Sequence, residues 1–255
     1  MTTTPFLSDA QGRTAVVTGA TRGVGLAVAR RLCAAGTRVI LDYAHDDDAA
    51  TQAVRSLRHL PGKAVAVKAD VSDPAALDAL LNEAQERFGG VDFFVHNTAF
   101  FQPSPTLDTA QEAVDRSLSV ALAPLLRGGR RLSELMAGRA GRIIAVSSLG
   151  AHRVVPGYVS AGVAKAALEA LVRYLAAELA GSGITVNAVS TAKIDKGNGS
   201  ASPEALKALA ARTPAGRLTT PDDVAGVVAL LCADEAAWIQ GQVITADGGF
   251  SLSAA

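Results

Sequence analysis

Short apolar runs alternate with longer amphipathic segments along the whole 255-residue chain. Arg13–Thr18, Thr37–Tyr43, Ala64–Lys68, Phe93–Asn97, Arg142–Ser147, Thr185–Ser190 and Gln242–Ala246 are short and largely apolar, and read as strands. Between them the spacing becomes helical. In Val24–Ala35 the residues Val24, Ala27, Val28, Leu32 and Ala35 share one side, and Gly36 closes the segment. Asp47–Leu60 predicts a polar-faced helix stopped by Pro61-Gly62. Asp73-Pro74 starts a helix that runs to Phe88 and ends at Gly89-Gly90. Asp108–Met136 is long and mostly helical, with irregularities expected at Pro124 and Gly128-Gly129, and Tyr158–Leu179 is a helix rich in Ala and Leu. A Gly/Ser/Asn loop, Lys196–Ser202, precedes two more helices, about Pro203–Ala211 and Pro221–Ala233.

This rhythm predicts an α/β fold: a parallel sheet with helices on both faces. Right-handed crossovers make it doubly wound, with ligands at the carboxyl ends of the strands. Seven strands are expected in a single domain over residues 1–255, since no linker, repeat or charge block divides the chain. The run Asp46-Asp47-Asp48 suits a helix N-terminus, where carboxylates meet the favourable end of the dipole.

Charge narrows the function. The chain has 24 Lys+Arg against 24 Asp+Glu, so it lacks the basic surplus of a protein that tracks phosphates, and no nucleic-acid partner is expected. No apolar run is long enough to span a bilayer, and Met1–Gln11 lacks the basic start and apolar run of a signal peptide. Two cysteines, Cys33 and Cys232, form neither a disulfide framework nor a metal cluster, and read as buried small side chains. A soluble cytoplasmic protein without membrane or metal sites is expected.

The first strand runs directly into Thr18-Gly19-Ala20-Thr21-Arg22-Gly23-Val24-Gly25, which opens the first helix. A dinucleotide turn needs a tight bend, close backbone approach to pyrophosphate and close helix–strand packing, and glycine serves all three. The helix N-terminus then offers free N–H groups to the anion. The spacing G-x-x-x-G-x-G resembles the short-chain dehydrogenase/reductase family, with its motif T-G-x-x-x-G-x-G. The resemblance extends from Gly12 to the closing Ala246-Asp247-Gly248-Gly249. It implies a Rossmann fold and a nicotinamide dinucleotide held by Gly19, Thr21, Arg22, Gly23, Val24 and Gly25. It also assigns Asp70-Val71 to adenine and Asn97 to the family's N-N-A-G motif, here His96-Asn97-Thr98-Ala99. Ile194 is matched to a residue that meets the nicotinamide amide through its backbone, although the Pro-Gly that usually precedes it is replaced in Ser190-Thr191-Ala192-Lys193.

The catalytic segment departs from the family's usual pattern. Lys165 fits the family Lys, in Ala164-Lys165-Ala166-Ala167, and Ser148 fits the family Ser. Ala161 stands where the usual Y-x-x-x-K would place Tyr, and the family Asn aligns with Ala121. Tyr158 lies seven residues before Lys165, and positions i and i+7 share a helix face. This Y-x6-K spacing, with Ser147-Ser148-Leu149-Gly150-Ala151 and Pro156-Gly157-Tyr158, resembles the enoyl-acyl-carrier-protein reductases of the family, most closely those that keep the ordinary glycine turn. Val95-His96 and Phe100 agree with that resemblance. The displacement suits the chemistry: in 1,4-reduction the hydride goes to Cβ and negative charge develops on the carbonyl oxygen farther away. The implied catalytic residues are Tyr158 as oxyanion stabiliser, Lys165 as ribose holder and fixed cation, and Ser148 as a further hydrogen-bonding group. His96 reads as a satisfied residue at a strand end.

The cofactor signals conflict. Tyr43, at the end of Leu41-Asp42-Tyr43-Ala44-His45, takes the deciding position, and Arg22 resembles the basic residue set against a 2′-phosphate, whereas His45 is followed by three Asp. NADP(H) is favoured over NAD(H). Residues 191–215 are expected to form a small substrate lid, where Lys193, Lys196 and Lys207 are candidate contacts for phosphopantetheine or a carrier protein. Helices Ala110–Met136 and Tyr158–Leu179 pair across subunits in relatives, which implies a homotetramer, with a dimer as alternative. The expected function is NAD(P)H-dependent reduction of a trans-2-enoyl thioester on acyl carrier protein or coenzyme A, in fatty acid or polyketide-type assembly. The alternatives are a carbonyl or imine reductase of a specialised metabolite and a non-catalytic nucleotide-binding regulator.

Overall fold

The computed structural model describes residues 7, 10–195 and 202–252. Most of the expected Lys196–Ser202 loop, Lys196 included, lies outside the described residues, as does most of Met1–Gln11. The strands are β1 (Thr14–Val17), β2 (Arg38–Tyr43), β3 (Lys63–Lys68), β4 (Phe93–His96), β5 (Arg142–Val146), β6 (Thr185–Ser190) and β7 (Val243–Thr245). The helices are α1 (Gly23–Ala34), α2 (Asp47–Leu57), α3 (Pro74–Phe88), α4 (Gln111–Leu126), α5 (Gly129–Leu135), α6 (Val159–Leu179), α7 (Pro203–Ala211) and α8 (Pro221–Cys232).

All seven strands are parallel, in the order β3-β2-β1-β4-β5-β6-β7. The chain winds outward from β1 in one direction, then returns to β4 and winds in the other. The loops after β1 and β4 therefore part at the centre of the sheet and leave a crevice, where open α/β sheets bind ligands. Alternate strand residues serve opposite faces. Ala15, Val17, Phe93 and Val95 join one core with α1 and α8, whereas Val16, Phe94, Ile143 and Ala145 join the other with α3 and α6. Nearly every strand position must then be apolar, which is why the strands read as unbroken runs rather than alternating ones.

The helix boundaries follow the local chemistry. Asp46 caps α2 through Ala49 N, and Asp73 caps α3 through Ala76 N with Pro74 in the first turn. The expected long helix Asp108–Met136 is resolved into a 3-10 turn at Thr106–Asp108, then α4, then α5. Pro124 sits inside α4, and a Cβ at Gly128 would stand 2.4 Å from Pro124 O. The chain turns at Arg127-Gly128 because only glycine fits against that carbonyl. No described helix is long and apolar enough to cross a membrane.

Candidate active site

The glycine turn joins β1 to α1 on the floor of the crevice. Gly19 and Gly23 adopt positive φ, +61° and +55°, a region other residues rarely enter. Gly25 is demanded by space: a Cβ there would lie 2.4 Å from Gly19 O and 2.8 Å from Asn97 Nδ2. Asn97, after β4, donates through Nδ2 to Thr18 O at 3.0 Å and Gly19 O at 3.1 Å. Its backbone N and that of Thr98 donate to Thr18 Oγ1 at 2.9 and 3.0 Å. Asn97 thus braces the turn from across the crevice.

The cradle fits a dinucleotide. No side chain caps the start of α1, where Arg22 is exposed, so its first N–H groups are left for an anion. A Cβ at Gly23 would meet nothing within 4 Å, and the buried Thr98 Oγ1 has no hydrogen-bond partner. Thr21 is half-buried beside this opening, whereas Val24 is buried and packs into the core. Val71 is buried likewise, leaving its main chain to offer, and Asp70 is half-buried. Burial opposes the charge on Asp70, but the Ser72 hydroxyl and amide, with Arg116, outweigh it and hold the carboxyl below its usual range.

The end of β2 separates two neighbouring residues. Tyr43 is half-buried and donates its hydroxyl to Asp47 Oδ1 at 2.9 Å, and Lys68 Nζ stands 3.0 Å from the same carboxylate. Asp42 is only 2% exposed and turns inward. Its Oδ2 accepts a long bond from Gly19 N at 3.3 Å, and its Oδ1 has no partner among the described residues. Burial, reinforced by Asp70, pushes its carboxyl up to about 8. Asp42 is therefore a neutral acid under the glycine turn at neutral pH, and faces the protein rather than a ribose.

His96, at the end of β4, is wholly buried. Its Nδ1 lies 3.1 Å from Thr18 Oγ1 and its Nε2 3.0 Å from Ala121 O. Thr18 Oγ1 already accepts two N–H groups, so its single proton goes to Nδ1, and Nε2–H must donate to the Ala121 carbonyl. Burial first, then the nearby Lys165 charge, push the imidazole down to about 3. It is a satisfied, neutral link between the glycine turn and α4, and not an acid–base group.

The catalytic candidates converge where β5 meets α6. Tyr158 occupies the N-cap position of α6 and is half-buried. Its ring lies across Gly150, where a Cβ would be 2.5 Å from Cδ1, and against Phe101, with centroids 5.0 Å apart. A backbone bridge between Ser104 and Tyr158 ties the loop after β4 to the same point. Ser148 ends the β5 segment and accepts from Gly150 N at 3.2 Å. Lys165 is 4% exposed and donates from Nζ to Val146 O at 2.6 Å. Burial pushes its ammonium down to about 8, against the opposing pull of Glu169. Ala161 is buried, so the usual tyrosine position holds a methyl group. Ile194 pairs with Thr219 in a short backbone bridge beside the site. Sequence reasoning passed over the buried Glu169, four residues after Lys165, which accepts from Ser147 Oγ at 2.5 Å. The signal available was a lone acid on an otherwise apolar stretch of helix.

Comparisons with known proteins identify the family. A family model described as "Enoyl-(Acyl carrier protein) reductase" matches residues 19–251. The chain is 36% identical to 3beta-hydroxysteroid dehydrogenase 1 of Eggerthella lenta, over 96% of this chain and 95% of that protein. It is also 36% identical to 1-cyclohexenylcarbonyl-CoA reductase of Streptomyces collinus, over 94% and 87%. Among solved structures, a short-chain dehydrogenase/reductase from Serratia marcescens superposes with TM-score 0.88 at 33% identity, covering 94% of this chain and 98% of that one. A short-chain dehydrogenase from Burkholderia cenocepacia in complex with NADP gives 0.87 at 32%, with the same coverage. The chain belongs to the short-chain dehydrogenase/reductase family and is an NAD(P)-dependent oxidoreductase.

Proposed function

We propose that the enzyme is an NADPH-dependent, cytoplasmic reductase of trans-2-enoyl thioesters, carried on acyl carrier protein or coenzyme A and made in fatty acid or polyketide-type assembly. The observation that carries this reading is the position of Tyr158. It stands two turns before Lys165, with the Gly150 surface cleared for its ring, while the one-turn position is Ala161. The enoyl-reductase family model and the cyclohexenylcarbonyl-CoA reductase among the relatives support it.

When bound, the nicotinamide supplies a hydride to the β-carbon of the substrate. The hydroxyl of Tyr158 makes no hydrogen bond within the described residues, so it is free to donate to the thioester oxygen as negative charge gathers there. Lys165, a cation below pH 8, stabilises that charge and holds the ribose hydroxyls. Ser148 keeps its own proton available, since its Oγ only accepts from Gly150 N. Phe101 and Val155 are exposed apolar side chains beside Tyr158, and suit an acyl chain better than a sugar. Preference for NADPH rests on the exposed Arg22 and on the inward turn of Asp42, which removes one carboxylate that would repel a 2′-phosphate. Lys193 and Lys207 are exposed and available to an acidic carrier protein.

The test is oxidation of NADPH and of NADH with crotonyl and longer trans-2-enoyl thioesters, beside an acetoacetyl thioester. Turnover of the enoyl compounds alone, faster with NADPH, is expected. Turnover of the ketone alone would assign a carbonyl reductase, and silence with both would assign a reductase of another, specialised metabolite.

A further inference from the structure

Glu169 lies one turn beyond Lys165 on α6 and is 1% exposed. A carboxylate this deep requires partners, because an unpaired buried charge is strongly destabilising. Its Oε1 accepts from Ser147 Oγ, while its Oε2 lies beside His152 Nε2 without a hydrogen bond among the described residues. Both residues come from the segment that carries Ser148 and Gly150, so the carboxylate joins that segment to the helix bearing Tyr158 and Lys165. Lys165 has few other charged neighbours. On its own helix are Glu169 and Tyr158. From β4 comes His96, which is neutral. The end of β5 offers the Val146 carbonyl and the two hydroxyls, with His152 behind Glu169. The α4 helix, packed along α6, buries no charged side chain.

We propose that Glu169 is a positioning residue for the reaction: its buried carboxylate, fixed by Ser147 one helical turn from Lys165, keeps Lys165 a cation at the nicotinamide end of the site. The inference rests on the role given to Lys165 above. Burial alone favours the neutral amine, and the carboxylate four residues on opposes it. In the parent enzyme, function that needs the cation falls as pH rises through about 8. Without the carboxylate the fall begins at lower pH.

The experiment measures two quantities from about pH 6 to about pH 10, a range that brackets the lysine. One is NADPH affinity, by fluorescence titration; the other is kcat/KM with an enoyl thioester. Glu169→Gln is expected to move the alkaline limb of both profiles down by about one pH unit, with little change at the acidic end. Glu169→Asp keeps the charge and leaves the limb in place. Ser147→Ala frees the carboxylate and moves the limb in the same direction by less. A uniform loss at every pH, or an equal shift in Glu169→Asp, overturns the proposal. If the parent turns over no enoyl thioester, the enoyl reading fails, and the NADPH-binding profile alone decides on Glu169. If Glu169→Gln does not fold, an unshifted Ser147→Ala binding profile overturns the proposal by itself.

Discussion

In the proposed mechanism two residues divide the work of the site between chemistry and architecture. Tyr158 is the sole phenol at the junction of β5 and α6, and removal of one oxyanion donor costs roughly 100- to 1,000-fold in rate. Tyr158→Phe is expected to lose that much kcat with an enoyl thioester while NADPH affinity, measured by titration, stays within about twofold. Equal losses in both would mean that the phenol holds cofactor instead. Asp42 acts through stability. Its carboxyl is protonated in the folded chain up to about 8 but only up to 3.8 when unfolded, so its favourable contribution is complete below 3.8 and is lost as pH rises toward 8. Asp42→Asn keeps the shape and removes the titration. It should raise stability at pH 8 by about 1–3 kcal/mol, the usual range for relieving a poorly satisfied buried group, and by much less at pH 4. Melting curves that fall equally at both pH values would show that the fold depends on the hydrogen bonding of the acid and not on its titration. The placement of Tyr158 and Lys165 at one junction was legible in the sequence because it depends on their spacing across the start of one helix. The inward turn of Asp42 was not, because Asp42 and Tyr43 differ by one strand position and only the packed sheet decides which of them faces inward.

At the scale of elements, the 3-10 turn Leu149–Ala151 between β5 and α6 sets where Tyr158 can stand. Gly150 has an ordinary φ, so its lack of a side chain serves space and not backbone conformation. A Cβ there would lie 2.5 and 2.6 Å from two carbons of the Tyr158 ring. Gly150→Ala should therefore push the ring aside and lower kcat about 100-fold, the scale of an ångström-sized misplacement, while the glycine turn keeps its affinity for NADPH. Unchanged kcat would show that the ring position read from the structure is not the working one. The seven strands and the order of the helices were legible because a doubly covered sheet imposes unbroken apolar runs. The division between α4 and α5 was legible only as an irregularity. Pro124 nonetheless sits inside α4, and the chain breaks only where Gly128 meets the Pro124 carbonyl, a contact set by packing. The Ser147–Glu169 bond was hidden for a related reason: it joins a strand end to a helix turn 22 residues later.

The whole molecule carries two exposed apolar faces on opposite sides of its sheet. On the α6 side, Val163, Ala166, Ala170, Tyr174 and Ala177 recur at helical spacing without a charge among them, and Tyr174 is 77% exposed. On the α8 side, Leu230 is exposed, and Trp238, in the connection from α8 to β7, is 98% exposed. Apolar patches of this kind mark contact surfaces, and two separate self-complementary patches generate dihedral symmetry. We propose that a second copy of the same chain covers each, as the resemblance to the family implies. Light scattering after size exclusion should then give about four times the 26.0 kDa chain mass. Tyr174→Asp and Trp238→Asp, each placing a charge on one face only, should each stop assembly at the dimer, and together yield the monomer. A monomeric parent would leave both faces without a partner and overturn the tetramer. A dimer insensitive to Trp238→Asp would confine assembly to the α6 face. Because α6 carries Lys165 and Glu169 and begins directly after Tyr158, the Tyr174→Asp dimer should lose more kcat than the Trp238→Asp dimer, which links assembly to the order of the active site.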